Sequence, residues 1–78
     1  MLSIEVHVVR NGHFYFYSRW RNGMQDVFAE KITRERAQQI VEGSDEASEV
    51  SSRGEVSFAA DGADFSFIAK WVIGGEGA

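Results

Sequence analysis

The sequence predicts an α+β domain: an antiparallel sheet of about five strands, in the order β-β-β-α-β-β, with one helix packed on one face. Three observations lead there. Apolar residues alternate along residues 2–9, 14–20 and 65–73, the pattern of strands that bury one face. Asn11-Gly12, Asn22-Gly23 and Asp61-Gly62 each stand between alternating stretches, where such dipeptides mark hairpins. A single segment changes to helical spacing. Thr33 is its N-cap, Ile32 and Ala37 sit at staple positions, Ala37, Ile40 and Val41 form an apolar stripe, and Gly43 supplies a left-handed C-terminal residue.

Side-chain parity sets the expected registers. A three-residue loop, Arg10-Asn11-Gly12 with Gly12 in a G1 bulge, pairs Val9 with His13 and joins Val8 to Phe14, Val6 to Phe16 and Leu2 to Trp20. A two-residue loop would instead place the aliphatic row beside Tyr15 and Tyr17, so the bulged turn is preferred. The same turn at Arg21-Asn22-Gly23 pairs Trp20 with Met24 and Phe16 with Phe28, and brings Asp26 opposite Ser18. At Asp61-Gly62 a two-residue type I′ turn pairs Phe58 with Phe65 and Val56 with Phe67. Residues 44–54 are polar and acidic; they read equally as a loop or as one more helical turn capped by Ser44 and running to Val50. Residues 1–73 form the single compact domain, and 74–78 are expected to fray as a flexible tail.

With 78 residues, no cysteine and no proline, the chain has one core and neither disulfides nor thiolate chemistry. It lacks an apolar run of the ~18 residues that span a bilayer, and Met1 leads directly into strand-like alternation, so a cytoplasmic protein with no membrane partner is expected. Charge is uneven. Residues 1–41 carry six basic and four acidic side chains (+2), and residues 42–78 carry two basic and eight acidic (−6). Glu42, Asp45, Glu46 and Glu49 form an acidic surface, read as solubilising charge or as a face for a basic partner.

One short helix covers one sheet face. The preferred register leaves His7, Val9, His13, Tyr15, Tyr17, Val27, Ile68 and Val72 on the other, with Glu5, Arg19 and Lys70 among them. His7, Tyr15, Tyr17, Arg19, Ile68 and Val72 are accordingly the expected partner-binding residues. On this reading Tyr17→Ala leaves stability nearly unchanged and weakens binding by ~2 kcal/mol. The plainer reading is that these residues are simply good strand formers.

No catalytic residues and no cofactor are expected, because no nucleophile motif or glycine-rich phosphate loop is present. His7, His13 and Glu5 are the one conceivable metal set, resting on proximity alone, and no metal site is assigned. The alternative function is nucleic-acid binding, with Arg10, Arg19, Arg21, Lys31, Arg34 and Arg36 interleaved with Tyr15, Tyr17 and Trp20; the acidic total opposes it. A homodimeric structural domain is the other alternative. In size, acidity, lack of cysteine and sheet-plus-helix plan, the whole chain resembles the small phage-encoded anti-CRISPR inhibitors as a type, with no shared motif. The resemblance implies a non-enzymatic protein-binding module that blocks a bacterial defence nucleoprotein complex.

Overall fold

The structure, a computed structural model, describes residues 1–53 and 65–74. Its elements are β1 (Leu2–Asn11), β2 (Phe14–Arg21), β3 (Met24–Ile32), α1 (Arg34–Glu42), β4 (Glu49–Arg53) and β5 (Phe65–Ile73). The strands form one antiparallel sheet in the order β3-β2-β1-β5-β4, so β1 is the central strand and β3 and β4 are the edges. The α+β class and the β-β-β-α-β-β order agree with the sequence.

Both described hairpins close through two residues, which corrects the expected bulged turns. Asn11 pairs with Phe14 across Gly12-His13, and Gly12 takes φ +66°, as the first central residue of a type II′ turn does. Arg21 pairs with Met24 across Asn22-Gly23, whose φ angles of +50° and +81° fit a type I′ turn. Val8 therefore faces Tyr17, Val6 faces Arg19 and Val9 faces Phe16; the expected Val8–Phe14, Val6–Phe16 and Leu2–Trp20 pairs do not form. The reason is a long-range tether. Ser3 N donates to Asn22 Oδ1 (2.9 Å) and Asn22 N donates to Ser3 O (2.8 Å), so the second turn clamps the start of β1 in this register.

The bulge lies inside the sheet instead. Between the Tyr17–Glu30 and Arg19–Val27 pairs, β3 uses Phe28 and Ala29 where β2 has only Ser18. Phe16 consequently faces Lys31, not Phe28, and Trp20 faces Gln25, not Met24. Asp26 joins Arg19 instead of standing opposite Ser18.

The stretch after the helix also differs from the expectation. Residues 49–53 form strand β4 against β5, with Val50 facing Ala69 and Ser52 facing Phe67. Phe67 thus lies between Val8 and Ser52, and Val56, expected as its partner, lies outside the described residues. The Asp61-Gly62 turn, Phe58 and residues 75–78 lie outside the described residues.

The helix starts as the sequence predicts: Thr33 Oγ1 accepts from Arg36 N at 3.0 Å. It ends differently. Gly43 has φ −78°, and its N–H donates to Gln39 O. A Cβ there would lie 3.1 Å from that carbonyl, so the glycine answers crowding and not a left-handed turn. Ser44, buried, closes the end by donating from Oγ to Ile40 O at 2.7 Å.

The core lies between α1 and one face of the sheet. Val6 and Val8 of β1, Tyr15 of β2 and Phe65, Phe67 and Ala69 of β5 are buried together with Ala37 of the helix. Ile4, Tyr17, Ile32, Ile40, Val41, Ala47 and Trp71 pack around them. The helix leans on β2 and β1, and the opposite sheet face has no described element over it.

Candidate functional site

Alternation along each strand, fixed by the observed pairing, determines what the uncovered face presents. From β1 come Glu5, His7 and Val9; from β2 come Phe14, Phe16, Ser18 and Trp20; from β5 come Ile68, Lys70 and Val72. Val9 (41 % exposed), Phe14 (49 %), Ile68 (36 %) and Val72 (47 %) lie open to solvent, while Phe16 and Trp20 are half-buried. Contiguous apolar surface of this kind on a small domain marks a contact site.

The polar groups of the face are arranged around that surface. His7 Nε2 donates to Glu5 Oε1 at 2.7 Å, and the imidazole lies against the Trp20 ring with centroids 4.3 Å apart. Lys31 Nζ stands 4.2 Å from the centre of the Phe14 ring, a cation–π contact. Lys70 faces Glu5 on one side and Glu49 on the other. Between these strands lies an open depression of about 300 Å³ lined by Glu5, Glu49, Val50, Ser51, Ile68 and Lys70. Glu5 and Glu49 balance Lys31 and Lys70, so the described part of the face is near neutral on a chain of net charge −4.

Comparison with protein families, curated proteins and solved structures gives no match. The site is therefore read from its geometry.

Of the expected partner-binding residues, His7, Ile68 and Val72 stand together on the uncovered face. Tyr15, Tyr17 and Arg19 are corrected to the covered face. Tyr15 is 3 % exposed and belongs to the core, and Tyr17 packs against it. Arg19 is bound to Asp26 through Nε–Oδ1 (3.0 Å) and Nη2–Oδ2 (2.9 Å). This bidentate bond holds the Asp26 carboxyl below its usual range and, with the carboxylate's charge, raises the Arg19 guanidinium. Val27 is paired with Arg19, and His13 sits in the first turn, so neither joins the uncovered face. The residues that parity missed are Phe14, Phe16 and Trp20. The two-residue loop weighed for the first hairpin, which pairs Val9 with Phe14, has the same parity, but the loop that forms is Gly12-His13 and pairs Val9 with Phe16.

The acidic residues divide. Glu42, Asp45 and Glu46 are exposed at and just beyond the end of α1, whereas Glu49 begins β4 and faces Lys70. The metal set does not assemble among the described residues: His7 and Glu5 touch, but His13 stands in the turn beyond the end of β1. Glu5 and His7 form a carboxylate–imidazole pair whose side chains are 34 % and 25 % exposed on the uncovered face. The basic–aromatic surface is dispersed. Arg10 and Tyr15 are buried, Arg19 is engaged, Trp20 and Lys31 lie on the uncovered face, and Arg34 and Arg36 are on the helix. Among the described residues no helix is long and apolar enough to cross a membrane.

Proposed function

We propose that this chain is a non-enzymatic protein-binding module whose contact surface is the sheet face that α1 leaves uncovered. One observation carries the reading: an apolar, aromatic surface built from three adjacent strands, with Trp20 held in place by the His7–Glu5 pair. A large aromatic whose position is fixed before contact loses little freedom on binding, which is how interface anchors work. The rigid sheet supplies the same economy for Phe14, Phe16 and Val9.

The finer form of this reading is an inhibitor of the anti-CRISPR type, acting on a bacterial nucleoprotein complex in the cytoplasm. What supports it is charge. The exposed carboxylates of Glu42, Asp45 and Glu46 stand at and just beyond the end of α1, where they would meet a basic channel.

The test is site-specific photo-crosslinking of the full chain in bacterial cells, with benzoylphenylalanine placed at Phe14 on the uncovered face or at Gln38 on the exposed side of α1. Covalent protein adducts are expected from Phe14 and not from Gln38. No adduct of any protein from Phe14 overturns the reading.

A further inference from the structure

Resting on that reading, we propose that the occupant of the uncovered face is a second copy of this chain, docked sheet against sheet with α1 of each copy on the outside. Three features of the face point there.

The first is area. Strands of five to ten residues at ~3.3 Å per residue, in a five-stranded sheet with ~4.8 Å spacing, give a face of at most roughly 30 by 20 Å in projection. Side-chain relief raises its accessible area toward the ~800 Å² per partner that a standard stable interface buries. A two-fold axis would use the same patch on both copies and bring Val9, Phe14, Phe16, Trp20, Ile68 and Val72 into the gap of ~10 Å between facing sheets.

The second is charge. The chain carries −4, so two copies approaching through Glu42, Asp45 and Glu46 repel each other. The described part of the uncovered face, with Glu5 and Glu49 set against Lys31 and Lys70, adds no such repulsion. A basic or an acidic partner would find no net charge here to select it.

The third is that the His7–Glu5 pair would enter such an interface already bonded. Polar groups compensated in place enter an interface at lower cost than groups that must find partners across it.

Sedimentation equilibrium of the full chain, over a range of concentrations, tests the inference. The expected mass is twice that of the 8.7 kDa chain. Val9→Lys and Ile68→Lys each place a charge on the face at an exposed position and are expected to raise the dimer dissociation constant by roughly thirtyfold or more. Far-UV circular dichroism is expected to stay unchanged, and Gln38→Lys on the helix is expected to leave the dimer intact. If one variant misfolds, the other still reads the same face. A wild-type monomer at millimolar concentration overturns the second copy as occupant, as does a dimer that both variants leave unchanged. A monomer whose Phe14 position crosslinks to a different protein removes the second copy and keeps the binding module. Absence of every crosslink from that position removes both.

Discussion

Tyr15 and Arg10 face each other across the first hairpin, and between them they explain why β2 presents its tyrosines inward. The phenol is 3 % exposed but remains hydrogen-bonded, because Arg10 Nη1 donates to Tyr15 Oη at 3.4 Å. The guanidinium also stands 5.8 Å from the ring centre, and the Phe65 ring meets Tyr15 edge-on at 6.3 Å. A buried aromatic with its polar tip satisfied contributes its full apolar area to the core. Tyr15→Ala is therefore expected to destabilise the fold by about 3 kcal/mol or more, measured as a lower urea midpoint. The same placement reverses the expectation for Tyr17, whose truncation now costs core packing rather than binding. Asp26 offers a pH-dependent counterpart. Its carboxyl is held below the ordinary value of 3.8 by Arg19, so its stabilising effect is fully present above that value and is lost as pH falls through the lowered one. Asp26→Asn should be less stable than wild type near pH 6, with the gap closing well below pH 3.8 in parallel urea titrations. An equal gap at both pH values would exclude the ion pair as its cause.

At the level of elements, the turns decide the faces. Asn22 and Gly23 occupy the left-handed region, and Asn22 also bonds Ser3, so one two-residue loop shapes the β2–β3 hairpin and fixes the β1–β2 register. Gly23→Ala has open space around the added methyl but forces a non-glycine residue to φ +81°; a loss of about 1–2 kcal/mol is expected in thermal or urea unfolding. That the chain reverses close to Gly12 and Gly23, the helix start at Thr33 and the number of elements before the helix were legible in the sequence, because they depend on chemistry within a few residues. Loop length was not. Arg10-Asn11-Gly12 suits a bulged turn as well as Gly12-His13 suits a type II′ turn, and the difference shifts every side chain of β2 to the opposite face. The bulge at Phe28 and Ala29 was likewise illegible. It interrupts a long edge strand, a device that hinders edge-to-edge pairing, and a second register shift, between Arg19 and Trp20, leaves Asp26 outside the ladder pairs and bonded to Arg19.

At the scale of the whole molecule, the described sheet has two faces, and α1 is the one described element that covers either. If two copies close over the open face, folding and association are linked. The melting temperature of the wild-type chain should then rise with protein concentration and that of Ile68→Lys should not. The sequence by itself determined the class, the order of the elements up to the helix, the helix cap and the prospect of one uncovered sheet face, since composition and local periodicity already limit the chain to a single helical stripe. His7, Ile68 and Val72 could be placed on that face because β1 and β5 each have only one strongly apolar row to bury. What only the tertiary structure decided was which row of β2 went inward. Both rows are aromatic: Tyr15 and Tyr17 on one, Phe14, Phe16 and Trp20 on the other. Their intrinsic preference for burial differs too little to choose between them, so contacts distant in sequence, Asn22 with Ser3 and Arg10 with Phe65, settle the register.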